Sequence, residues 1–157
     1  METALADLAK TGAAKSLIDS CIDKFGRLDC IVANAGHADS TPLEDIDVAA
    51  FQLMFATMTQ SFLELAQAAL PLLRQSSAPR VVAISSFIAH RYEDGALFVS
   101  SAAAKAALES VVRTLARVAA PDRIPVNIVV RRWLNAARAA ICLTWALDAG
   151  TRTCRKG

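Results

Sequence analysis

Few residues in this chain carry chemistry, and most of them stand alone. The four cysteines, Cys21, Cys30, Cys142 and Cys154, include no Cys-x-x-Cys pair and no neighbouring histidine that would complete a metal site. They read as reduced thiols, Cys30 as a small core residue. His37 and His90 have no partner at ligand or triad spacing. The single tyrosine, Tyr92, lies in a loop among His90, Arg91, Glu93, Asp94 and Gly95, the setting of an exposed phenol. Ser101 and Lys105 stand one helical turn apart and so share a face. An alkyl hydroxyl has a pKa far above a phenol's value of about 10, so even beside a lysine Ser101 is a poor general acid or base. Two polar groups close apolar runs: Asn34-Ala35-Gly36 and the pair Ser85-Ser86.

The elements that must position these residues alternate helical periodicity with short apolar runs, the pattern of strand-helix-strand units around a parallel sheet. The spacing predicts an amphipathic helix over about 11–24, in which Ala14, Leu17, Ile18, Cys21 and Ile22 share one face, ended by Gly26. Leu28 to Ala33 reads as a strand buried on both faces that runs into the Asn34-Ala35-Gly36 turn. Pro42 opens a short acidic helix (Glu44, Asp45, Asp47) leading into a longer one from Val48 to about Gln75. Its apolar positions extend almost all the way round, so it is expected to be buried on more than one side. Val81, Val82 and Ile84 mark a second strand, a third helix covers about 100–119 and stops before Pro121, and Val126 to Val130 forms a third strand. The class is α/β with strands at 28–33, 80–85 and 126–130 in sequential order, both outer edges bare. Beyond Arg132 the periodicity degrades into an Ala- and Leu-rich stretch and a polar, basic tail.

Three pieces in this order carry a resemblance: Lys24-Phe25-Gly26-Arg27-Leu28-Asp29 leading into Asn34-Ala35-Gly36, then Arg80-Val81-Val82-Ala83-Ile84-Ser85-Ser86, then Ala104-Lys105-Ala106-Ala107-Leu108. Arg123-Ile124-Pro125-Val126-Asn127 adds a fourth. Over roughly 7–134 the chain resembles the middle section of a short-chain dehydrogenase/reductase. The resemblance implies a partial Rossmann-like, three-layer αβα domain over 1–134, a divergent segment over 135–157, and NAD(P)-dependent oxidoreduction of a carbonyl or alcohol. It implies that Ser86 holds the carbonyl oxygen, that Lys105 binds the nicotinamide ribose and lowers the pKa of a tyrosine four residues earlier, and that Asn34, Ala35 and Gly36 lie beside the cofactor at the carboxyl end of a central strand. Asp7-Leu8 falls where the family has an acidic residue near the adenine ring. Ser101 occupies the tyrosine's position, and Met58 that of the asparagine which anchors a proton-relay water; Tyr92 is the one phenol available as a substitute. Plainer readings stand beside these: Gly36 as a turn residue and Asn34 as a polar cap, Asp7 and Leu8 as a solvated, frayed pair, Lys105 as a solvated helix lysine.

The family's first strand, glycine-rich turn and following helix have no counterpart here, and no Gly-x-x-x-Gly-x-Gly occurs in the sequence. Backbone N–H groups of that turn supply much of a dinucleotide's binding, so NAD or NADP is expected to bind weakly at best. After Val130 the family continues with Pro-Gly, where this chain has Arg131-Arg132. A late internal start at Met1 and a frameshift past Val130 would produce both ends. The expectation is a family-like protein without normal turnover, one that associates with itself or with an intact relative through helices 48–75 and 100–119, or a gene fragment with no independent role.

A net charge of +2 with no charged block in the body of the chain points to no nucleic-acid partner. The terminal cations Arg131, Arg132, Arg138, Arg152, Arg155 and Lys156 lack aromatic interleaving. The apolar stretch from Ala139 to Leu147 is about half of a membrane span. With Glu2 and Asp7 at the start and no basic-then-apolar leader, a cytoplasmic protein is expected.

Overall fold

Residues 2–91 and 97–131 are described by the structure, a computed structural model. Tyr92 and its neighbours Glu93, Asp94 and Gly95 lie outside the described residues, as does the segment 135–157 with Cys142 and Cys154. Helix α1 (Ala13–Phe25) ends as its sequence predicts: Gly26, at φ 68°, takes the left-handed conformation and donates its N–H to the Ile22 carbonyl. The chain then enters β1 (Cys30–Ala33).

The acidic segment after Pro42 makes a single 3-10 turn, Leu43–Asp45. Asp47 then caps the next helix, its carboxylate accepting from the N–H groups of Ala49 and Ala50. The expected continuous helix 48–75 is two helices, α2 (Val48–Phe55) and α3 (Ser61–Leu73), separated by one π-helical turn, Ala56–Gln60. Hydroxyls bracket that wide turn: Thr57 Oγ1 donates to the Leu53 carbonyl and Ser61 Oγ to the Thr57 carbonyl, local bonds that compete with the regular ladder. Burial on several sides also fails for α2, which buries only Met54 and exposes Val48 and Leu53. It is α3 that enters the core, through Phe62, Leu65, Ala66, Ala69 and Leu73. The chain continues through β2 (Arg80–Ser86), a 3-10 turn (Phe87–Ala89), α4 (Val99–Ala119), a second such turn holding Pro121, and β3 (Val126–Arg131).

The three strands lie side by side in the order β1-β2-β3, all parallel, with Ile31 opposite Val81, Ala83 opposite Ile128 and Ser86 opposite Arg131. Residues in register share a face, so Ile31, Ala33, Val81 and Ala83 form one surface. Helices α1, α3 and α4 all pack on it: Ile18, Cys21, Leu65, Leu73, Leu108 and Val112 join those strand residues in a single core cluster. Each fully buried Leu, Ile or Val there contributes about 1.5–3 kcal/mol.

Because these helices converge on one face, burial along β1 and β2 alternates. Strand β1 is therefore not buried on both faces among the described residues, and Cys30 sits on its half-buried side rather than in the core. The buried thiol is Cys21, whose pKa burial pushes up to about 11. The α/β class and the sequential parallel sheet are those expected, and the described residues supply the sheet and one helical layer. Among them, no helix is long and apolar enough to cross a membrane.

Candidate functional site

Open parallel sheets bind ligands beyond the carboxyl ends of their strands, and most of the sequence-predicted site residues lie there. The turn Asn34-Ala35-Gly36 leaves β1. Gly36 has φ 143°, a backbone conformation that side-chain-bearing residues rarely adopt, and a Cβ built on it would lie 2.8 Å from the Met58 Cε. Met58 therefore closes over the turn. Buried in the π-helical turn, it packs with Met54, Phe55 and Ala104, while its neighbour Thr59 donates to the Ala104 carbonyl at 2.9 Å. Where the resemblance places a water-anchoring asparagine, this chain has an apolar contact between the π-helical turn and α4.

Ser86 ends β2, its hydroxyl accepting from the Ile88 N–H at 3.5 Å to start the 3-10 turn. On α4 the face made by Ser101, Ala104, Lys105, Leu108, Glu109 and Val112 is buried. Ser101 is only 1% exposed and donates to the Phe98 carbonyl at 3.4 Å, across the first turn of its own helix. Lys105 is not the solvated lysine that a lone helical cation suggests. It is 8% exposed, and its Nζ donates to the Ile84 carbonyl at 2.7 Å, because its position falls on the arc that faces β2. Burial, and after it the charge of Arg131, pushes the ammonium pKa down to about 8.

Asp7 and Leu8 are held in place rather than frayed. The Asp7 carboxylate accepts from the Ala9 N–H at 3.1 Å and its carbonyl from the Lys10 N–H, while Leu8 packs against the main core.

Absent from the sequence reading was the buried cluster around Glu109. Its Oε1 accepts from Ser85 Oγ at 2.6 Å and from His90 Nε2 at 2.8 Å, and its Oε2 accepts from Arg113 at 2.8 Å. His90 thus has a carboxylate partner after all, 19 residues away and brought close only by the packing of α4 on β2. The signal available was geometric: position 109 continues the 101, 105, 108, 112 arc of α4, so a carboxylate there had to enter the interior. Strand alternation separates the two serines: Ser85 turns inward to Glu109, and Ser86 is left at the crevice.

A short parallel sheet with helices packed on it, and a serine and a lysine placed toward its carboxyl end, defines an α/β domain of the open-sheet class. Residues 2–142 match the family described as enoyl-(acyl carrier protein) reductase. A cyclohexanol dehydrogenase of Rhodococcus sp. (strain TK6) is 25% identical over 148 residues, 92% of this chain and 55% of that protein. A cis-1,2-dihydrobenzene-1,2-diol dehydrogenase of Pseudomonas putida is 32% identical over 126 residues, 77% of this chain and 44% of that protein. The structure of an NADH-dependent reductase, A1-R′, complexed with NAD matches with a TM-score of 0.75 at 29% identity, covering 83% of this chain and 56% of that one. The chain belongs to the short-chain dehydrogenase/reductase family. It spans about half the length of these relatives.

Proposed function

We propose that this chain carries the part of an NAD(P)-dependent oxidoreductase site that holds the substrate oxygen and the nicotinamide ribose, and that as it stands it binds these groups weakly without turning them over. The observation behind this reading is Ser101: at the place of the family's tyrosine, its hydroxyl is buried and bonded to the Phe98 carbonyl. The donors present, the Lys105 ammonium and the Ser86 hydroxyl beside a turn ended by Gly36, fit ribose and carbonyl oxygens, while no glycine-rich turn suited to a pyrophosphate lies among the described residues. A bound nicotinamide would supply or take the hydride. Lys105 would leave the Ile84 carbonyl to hold ribose hydroxyls, and Ser86 would orient the substrate oxygen. Nothing at position 101 moves a proton to that oxygen near neutral pH, a role that contributes about 10²–10⁴-fold where a suitable acid is present. A cytoplasmic setting suits the free thiols Cys21 and Cys30.

Calorimetric titration of the folded chain with NADH and NADPH, paired with an assay on small ketones such as cyclohexanone, tests this. Binding in roughly the millimolar range, about −4 kcal/mol, is expected, with no oxidation of the cofactor above background. Saturable turnover would overturn the claim of inactivity, and absence of binding would overturn the cofactor part.

A second reading, association through the helices, is favoured by the exposure of Val48 (68%) and Leu53 (51%) on α2 and of Val118 near the end of α4. Light scattering is expected to return at least a dimer mass that falls to the monomer in the double variant Leu53→Glu, Val118→Glu. A monomeric parent chain would remove this reading.

A further inference from the structure

Arg131 closes β3 in register with Ser86, the last residue of β2. Neighbouring strands lie roughly 4.8 Å apart and paired residues project from the same face, so the Arg131 side chain leaves the sheet on the same face as Ser86. Lys105 reaches the same end of the sheet from α4, its Nζ bonded to a carbonyl only two residues before Ser86. The two cations sense each other: the Arg131 charge is the second cause, after burial, of the lowered Lys105 pKa. Among the described residues no carboxylate lies in an ion pair with either cation. Two like charges gathered at the carboxyl end of a parallel sheet repel, and an anion placed between them would relieve that repulsion.

Building on the reading of Ser86 as the holder of a carbonyl or alcohol oxygen, we propose that Ser86, Lys105 and Arg131 form a site for a small oxo or hydroxy acid, its carboxylate held by the two cations and its carbonyl or hydroxyl oxygen by Ser86. Guanidinium presents a planar fork that matches a carboxylate, and the lysine adds a point charge with less competition from water because it is buried. The adjacency of Ser86 and Arg131 sets the spacing: the carboxylate lies within a bond or two of the oxygen, which selects 2-oxo and 2-hydroxy acids over neutral ketones.

Pyruvate and its neutral methyl ester, titrated separately into the full chain and followed by ligand-observed NMR, test the proposal. Pyruvate is expected to bind at least about tenfold more tightly than the ester, the size of one charge-assisted contact. Arg131→Gln, at an exposed strand end, is expected to bring the ratio close to one with an unchanged circular dichroism spectrum, and Arg131→Lys to keep part of the preference. Equal binding of the two compounds, binding of neither, or a preference that survives Arg131→Gln would overturn it. Titrating the same samples with NADH separates the two claims: cofactor binding without acid preference sinks the acid site alone, and acid preference without cofactor binding sinks the cofactor reading alone.

Discussion

Glu109→Gln lowers the unfolding free energy by about 3 kcal/mol, a loss to be read from urea titrations at pH 7. The Glu109 side chain is 3% exposed, and its two oxygens accept from three donors on three different segments: Ser85 on β2, His90 after the following 3-10 turn, and Arg113 one turn further along α4. Glutamine keeps the shape but turns an acceptor-only group into one with an NH2 end. Whichever way that end faces, at least one contact is lost, and the remaining ones lose the charge that strengthens them. The ion pair with Arg113 is a minor part of this. Arg113 is 66% exposed, so Arg113→Met is expected to cost less than about 1 kcal/mol. A Glu109→Gln loss no larger than that of Arg113→Met would show that the cluster is not what ties α4 to β2.

The second large effect is the pH dependence conferred by Lys105. Its folded-state pKa of about 8 lies below the ordinary value of 10.5. Between those two values the unfolded chain holds a proton that the folded chain has released, so the unfolding free energy rises with pH across that window. Below about pH 8 the lysine is charged in both states, and the full cost of burying it beside Arg131 weighs on the fold. The span corresponds to a cost on the order of 3 kcal/mol at neutral pH. Lys105→Met removes that cost and also the bond to Ile84, so the net expectation is a stabilisation on the order of 1–2 kcal/mol at pH 7 that shrinks toward zero by about pH 10. Urea titrations of both proteins at several pH values between 7 and 10 give the difference directly. A difference independent of pH would mean that Lys105 titrates at its ordinary value and is solvated in the folded state.

The two results bear on function in different ways. Glu109 anchors the helix that carries Lys105 and Ser101, so its loss would blur the site without touching a ligand. Lys105 carries at neutral pH an electrostatic cost, and perturbations of this kind cluster at functional sites.

What the sequence determined by itself was set by local patterns. The 3.6-residue spacing of Ala14, Leu17, Ile18 and Cys21, with Gly26 after them, specifies α1 and its end, and the β-branched run at Val81, Val82 and Ile84 specifies β2. Strand-helix alternation then leaves a sequential parallel sheet, and the ordered pieces around Asn34, Ser86 and Lys105 point to the family. Tertiary structure alone decided the rest, because each remaining feature depends on residues far apart in the chain. Periodicity could not show that α1, α3 and α4 share one face of the sheet, which leaves Cys30 half-buried and Cys21 in the core. Nor could it show the π-helical turn that splits the long helix and sets Met58 over Gly36, since that turn is held by hydroxyl bonds invisible to hydrophobic spacing. Lys105 reads as a solvated helix lysine, and Glu109 belongs to no motif in the sequence, until the packing of α4 against β2 buries them both. Burial in a low-dielectric interior is what gives Glu109 and Lys105 a required partner and a measurable energy.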